Sequence, residues 1–290
     1  LIGELLQILI NGLLSGAQLA VPAIGFTTIY AVLRFPNFAI ASHASIGAFA
    51  GVLANTQLGW SIGLSLVAAF VAAGLVGVAS DTLVLRRLRP SGPLTTAIGA
   101  AALGIVLENI LRFAFGNDPI GFDLPVLRDW KLPFLGLRIG PQATEAAAAS
   151  LIVMIILFLF LAFTRSGRMM RAVADNKMLA NLKGIDAESV ARRANFVGMG
   201  LAGFGGMLIG LDTSVDPLTG ARVVLPVFAA AVVGGLGSIP GAVAGAFVVG
   251  IGEELSTIVL DPSYRTAVGF VAILLVLTLR PRGLLGERAL

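Results

Sequence analysis

Apolar residues in this chain come in long unbroken blocks rather than at the spacing of a water-facing helix or strand. An α-helix needs about 20 apolar residues to cross a hydrocarbon core roughly 30 Å thick. Blocks of that order run over 8–33, with Pro22 inside, and over 61–85, 93–115 and 146–163. After a polar interruption come 196–211, 223–237, 242–260 and 267–279, while a shorter block rich in small residues covers 39–54. The pattern predicts an all-α fold. It is a single polytopic transmembrane helix bundle over 1–290, with about eight or nine crossings including broken or short helices.

Composition agrees and narrows the chemistry. Only 12% of residues are charged and mean hydropathy is +0.95, whereas a soluble domain carries about 25% charge. A net charge of +4 and a pI near 10.1 invite a nucleic-acid partner, but the basic residues mark loop ends and form no basic domain, so none is expected. With no cysteine and one histidine, disulfides, thiolate sites and His-cluster metal sites are excluded. The opening "LIGELLQILI" has neither a basic leader nor a small-residue cleavage site, so it is not read as a signal peptide.

Orientation follows from Lys and Arg. Arg34, the cluster Arg86, Arg87 and Arg89, the interruption at 165–193 and the tail "RPRGLLGER" hold most of the basic residues; the positive-inside rule makes that side cytoplasmic. The stretch 116–144, rich in Pro, Gly and aromatics, then lies outside, either as an ordered segment that meets a docking partner or as a packed connector. The 36 glycines include "GLAGFGGMLIG" and "GAVAGAFVVGIG", whose spacing lets helix backbones approach closely in lipid. "SIGAFAGVL" (45–53) and "AGAFVVGI" (244–251) resemble each other as a weak internal repeat.

The interruption "RSGRMMRAVADNKMLANLKGID" starts where a span ends. Ser166 is read as a helix cap, Met169, Val173, Leu179 and Leu182 as its apolar contacts, Gly184 as a stop, and Asp186 as the start of a second helix. This is a short amphipathic helix on the cytoplasmic face. Three uses fit it: lying on headgroups, covering the ends of its own bundle, or docking into a groove of a cytoplasmic protein.

Ionisable groups within spans are costly and usually paired or functional. Glu108, beside Asn109, is read as a path residue or as the partner of Arg112 one turn on; Glu253 and Glu254 sit late in another span, and Asp81 is read as an ion pair at the membrane edge. Pro36 and Asn37 break the chain between the first two spans, where unpaired backbone can face a ligand. His43 in the helix that follows is a substrate contact or a packed, hydrogen-bonded residue. Asp212, Asp216 and Arg222, around Pro217 and Gly220, are read as an outer gate or docking rim, or as a polar loop with internal ion pairs. No Ser/His/Asp order, paired carboxylates or metal spacing points to an enzyme, and no G-x-x-x-x-G-K-[ST] phosphate loop occurs.

"SGRMMRAVADNKMLANLKGID" resembles the cytoplasmic signature of ABC importer permeases of the branched-chain amino acid transport family, the high-affinity leucine/isoleucine/valine type. "IGFTTIYAVLRFPNFA" (24–39), "GGLGSIPGAVAGAFVVGIGEEL" (234–255) and "RPRGLLG" (280–286) are similar to further family stretches in family order. Met178 and Leu179 stand where the family often has an acidic residue, and Ile40 and Ala41 where it has His and Gly. The resemblance implies a coupling helix engaging a separate ATPase, with Arg168, Arg171, Asp175, Asn176, Ala180, Gly184 and Asp186 as its coupling residues. Asn37, Phe38, His43, Glu108, Asn109 and Glu253 are the candidates along the substrate path, and of these Glu253 also matches an acidic position of the family. The resemblance further implies a second permease half, a periplasmic binding protein delivering a small solute, ATP and Mg on the partner subunits, alternating access, and a bacterial inner membrane. The competing expectation is an ion-coupled secondary transporter using the buried carboxylates.

Overall fold

The computed structural model describes residues 2–124, 130–132, 137–258, 261, 264–280 and 283–286. Helix α1 (Ile2–Leu33) is followed by α2 (Ile40–Thr56) and α3 (Ile62–Ser80). A π-helical turn (Asp81–Leu85), the short α4 (Arg86–Leu88) and a 3-10 turn (Arg89–Ser91) extend α3. Then come α5 (Pro93–Phe115), a hairpin of β1 (Trp130–Leu132) and β2 (Leu137–Ile139), and α6 (Pro141–Phe163). The polar interruption forms α7 (Arg165–Asp175) and α8 (Lys177–Leu182). The chain returns as α9 (Ala187–Asp212), α10 (Thr219–Gly234), α11 (Ile239–Ser256) and α12 (Arg265–Leu279).

Every apolar block is a helix. Among the described residues six helices are long and apolar enough to cross a membrane, and two shorter apolar ones cover Thr219–Gly234 and Ala267–Leu279. The protein is a multi-pass membrane protein. Boundaries shift where polar residues carry a helix past the apolar block. α6 starts at Pro141 and α9 at Ala187. A proline in the first turn suits a position that has no intrahelical donor to lose. The predicted end of one span at 260 lies outside the described residues.

Small residues set the packing. A Cβ on Gly47 would fall 2.2 Å from the Gly203 Cα, and one on Gly206 would fall 2.1 Å from the Ala44 carbonyl oxygen, so α2 and α9 touch backbone to backbone. Gly12, Gly16 and Gly250 join α1 to α11, and Gly234 and Gly245 join α10 to α11 in the same way. The two segments read as a weak repeat therefore both pack through glycine, one on α9 and the other on α10 and α1. α9 is buried along most of its length between α1, α2 and α3. α5, α6 and α12 carry Ile105, Phe113, Ile155, Phe163 and Leu274 outward, an apolar exterior suited to lipid.

The stretch 116–144 is ordered where it is described. β1 and β2 pair antiparallel, and Gln7 at the start of α1 clasps the β2 backbone, its amide donating to the Arg138 carbonyl and accepting from the Arg138 N–H, both at 2.8 Å. Residues 125–129 and 133–136 lie outside the described residues.

Candidate functional site

Thr164 joins α6 to the polar segment of α7 and α8. Its hydroxyl donates to the Phe160 carbonyl at 2.6 Å and accepts from Gly167 N–H at 3.0 Å, capping α7. The cap is Thr164 rather than Ser166 because α7 begins directly after α6 ends, which places Ser166 inside the first turn. Arg168 and Arg171 reach back to α6: they donate to the Phe163 carbonyl at 3.1 Å and the Leu161 carbonyl at 2.7 Å, groups that a helix C-terminus leaves unpaired. Both therefore fasten the segment to its own bundle.

Asp175 closes α7 and Asn176 leaves the helical region (φ −152, ψ 101). The Asn176 side chain accepts from Leu179 N–H at 2.9 Å, which starts α8. α8 ends as glycine-stopped helices do: Gly184 has φ +81, and Ile185 N–H donates to the Ala180 carbonyl at 3.0 Å. Asp186 then caps α9 by accepting from Glu188 N–H at 3.0 Å. Ala180 is 4% exposed and faces the protein. Met178, Leu179 and Leu182 are 76%, 53% and 76% exposed and face away from it. Of the four apolar contacts read from the sequence, Val173 is buried and Met169 packs on the core, while Leu179 and Leu182 stand free of the bundle.

Two further ties anchor this region, and sequence reading missed their geometry. Arg34, with φ 58, takes the left-handed conformation after α1, and its guanidinium donates to the Ala174 carbonyl near the end of α7. Asp81, buried in the π-helical turn, pairs with Arg89; Arg89 and Arg86 both reach Glu188 in the first turn of α9 at 3.3 Å. The membrane-edge ion pair foreseen for Asp81 is thus part of a four-residue network joining the α3 extension to α9. Positive charges crowded at 86–89 were the available signal, but their partner Glu188 is remote in sequence.

The path candidates do not converge on one cavity among the described residues; Asn37 and His43 share Ala39, and the others have separate neighbours. Asn37 is buried at the corner before α2, its Oδ1 accepting from Ala39 N–H at 3.2 Å while Nδ2 has no partner. Phe38 leans on Phe228 of α10 with centroids 5.7 Å apart, and Phe26 meets the same ring edge-on at 5.8 Å. His43 is fully buried: Nδ1 lies 2.7 Å from the Ala39 carbonyl, so it carries the proton, and Nε2 accepts from Ser80 at 3.4 Å. That geometry matches the packed, hydrogen-bonded alternative. Glu108 holds Arg112 at 2.7 Å, and the exposed Asn109 bonds its own helix at the Ile105 carbonyl, 2.8 Å away. Glu253 is buried on α11 near Gly269 of α12.

On the other side of the bundle Asp216 pairs with Arg222 and bonds Thr219, whose hydroxyl accepts from Asp216 N–H at 2.9 Å; Asp212 is exposed at the end of α9. This loop sits deeper than a rim. Ser45 Oγ donates to the Pro217 carbonyl at 3.0 Å and accepts from Gly220 N–H at 2.9 Å. From Ser45 to the outer end of α2 at Thr56 the helix rises by about 16 Å. Val215 pairs with Ile120 of the external stretch in an antiparallel bridge.

Residues 8–279 match the family described as branched-chain amino acid transport system / permease component. The chain is 32% identical to the high-affinity branched-chain amino acid transport system permease protein BraD of Pseudomonas aeruginosa, over 97% of this chain and 96% of that protein. It is 30% identical to the LivH permease protein of the corresponding Escherichia coli system, with the same coverage. A probable branched-chain amino acid transport permease protein of Methanocaldococcus jannaschii is 27% identical over 97% of this chain and 92% of its own length. With a helical membrane bundle, a capped polar helix pair between two spans and a family match spanning nearly the whole chain, this protein belongs to the permease component family of branched-chain amino acid ABC transporters.

Proposed function

We propose that the chain forms one membrane half of an ATP-driven importer in a bacterial inner membrane. It passes a small solute from a periplasmic binding protein to the cytoplasm by alternating access. The solute is a branched-chain amino acid, as in the names of its relatives, or another small amino acid, carboxylate or amide. A second permease subunit, a copy or a paralogue, completes the pathway, and ATP with Mg is bound by cytoplasmic ATPase subunits. The exposed apolar face of α8 carries this reading. Met178, Leu179 and Leu182 project from a segment that Thr164, Arg34, Arg168 and Arg171 clamp to the bundle, which is what a helix seated in a partner's groove requires. Of the two carboxylates that ion coupling would use, the half-buried Glu108 is already paired with Arg112, which weighs against it, while Glu253 is buried on α11 near Gly269 of α12.

The test is purification of the chain from its native membrane with its companions, followed by leucine uptake in proteoliposomes. Co-purifying ATPase subunits and ATP-dependent uptake are expected. Uptake that survives ATP removal but stops on gradient collapse overturns the proposal.

A further inference from the structure

A groove of about 690 Å³ runs between α3 and α6 over one flank of α9, away from the path candidates and from α8. Its walls are apolar: Val67, Phe70 and Val78 from α3, Ile156 and Phe160 from α6, and Phe204 from α9. One end only is polar, where Ser166, Arg192 and Arg193 meet at the cytoplasmic start of α9. Arg193 donates to the Ser166 hydroxyl at 3.1 Å. Arg192 is half-buried and has no hydrogen-bond or ion-pair partner among the described residues, and no acidic side chain lines the groove. From Phe204 to Arg192 the groove follows α9 for about 18 Å, close to the roughly 15 Å of a single leaflet.

We propose that this groove holds one anionic phospholipid of the cytoplasmic leaflet. An acyl chain lies along the apolar walls, and the phosphate is bound by Arg192 and Arg193 beside the Ser166 hydroxyl. The dimensions select this occupant. A partner helix crossing the bilayer needs contact over the full core of about 30 Å, and a free phosphate has no use for apolar walls. The half-buried Arg192 and the exposed Arg193, facing a headgroup layer, attract anionic lipid. Because Ser166 belongs to α7 and Arg193 to α9, the bound headgroup joins the two helices that frame the cytoplasmic segment. The site is independent of which solute the protein carries.

The experiment places the full chain, with its co-purifying subunits, in nanodiscs and introduces Phe160→Trp as a reporter on the groove wall; of the native tryptophans, Trp60 follows α2 and Trp130 lies in β1, and neither lines the groove. Quenching is measured with phosphatidylglycerol or phosphatidylcholine brominated on the acyl chains. The expected result is preferential quenching by phosphatidylglycerol. In Arg192→Ala/Arg193→Ala that preference falls about 25-fold, fivefold for each arginine. Ile156→Phe, which narrows the groove and leaves both arginines, lowers quenching by both lipids. Equal quenching by the two lipids in the parent chain overturns the proposal, as does a preference that survives loss of both arginines. Absence of quenching by either lipid also overturns it and assigns the groove to a protein neighbour.

Discussion

Removing the apolar face of α8 tests whether the segment is a docking element or a lid on its own bundle. The perturbation is Met178→Ala/Leu179→Ala/Leu182→Ala. Fully burying a Met or Leu side chain is worth about 1.5–3 kcal/mol. Since half to three-quarters of each of the three remains exposed, docking can still gain about 1–2 kcal/mol per side chain. Ordering each flexible side chain costs about 0.5–1.5 kcal/mol. The net loss for the triple variant is then about 1.5 kcal/mol, a Kd for the ATPase subunits weakened roughly tenfold. The assay is binding of purified ATPase subunits to the permease in nanodiscs, with thermal unfolding of the permease alone as control. These side chains project away from the bundle, so its Tm should stay at the parent value. An unchanged Kd would refute the argument, as would a fall in Tm large enough to account for the loss of binding.

Gly184→Arg meets no steric obstacle, since nothing lies within 4 Å of a Cβ there, but at φ +81 it carries about 1–2 kcal/mol of backbone strain beside the docking face. ATP-driven uptake is expected to fail while membrane insertion and yield persist, and normal uptake would remove Gly184 from coupling. Asp81→Ala leaves Arg89, with only 15% of its side chain exposed, without its carboxylate. Glu188 stays beside Arg89 at 3.3 Å, so a loss of about 1.5–3 kcal/mol is expected, partly restored by adding Arg89→Met; equal Tm in the single and double variants would contradict it. His43→Ala empties a fully buried site and strips Ser80 of its acceptor, for an expected loss of about 2–4 kcal/mol in stability. Uptake ratios among different solutes should not move; a changed ratio at constant Tm makes His43 a solute contact.

Features governed by local chemistry were legible in the sequence. Lipid demands long apolar runs, so the spans stand out; Gly184 and Asp186 announce the end of one helix and the start of the next; Glu108 and Arg112 sit one turn apart and pair. Features governed by tertiary geometry were not. The Asp81–Arg89–Glu188 network depends on a π-helical turn and on two helices meeting at their ends. The loop around Asp216 reads as a surface rim from its polarity, yet Ser45 holds it well below the outer end of α2. Gln7 looks like a stray polar residue in an apolar helix, while its role is to satisfy a strand that begins far along the chain. Arg168 and Arg171 match a family coupling signature, but their guanidiniums terminate α6.

The corner between α1 and α2 has a consequence for insertion tolerance. Residues 34–39 leave the chain no slack: Arg34 is bonded to the end of α7, Asn37 to Ala39, and Phe38 to the ring of Phe228. An extra residue there would rotate α2 against α9, and Gly47 and Gly203 touch at one register only. The turn at 57–61, whose side chains are exposed, is bonded through Trp60 to Ala54 and Asn55 at the end of its own helix, and is the better place to splice an epitope or a fluorophore. Because the short connection ties the cytoplasmic segment to the aromatic cluster, its length acts as a calibrated spacer, and lengthening it is the mildest way to disconnect the two ends of the machine without altering a single side chain in either.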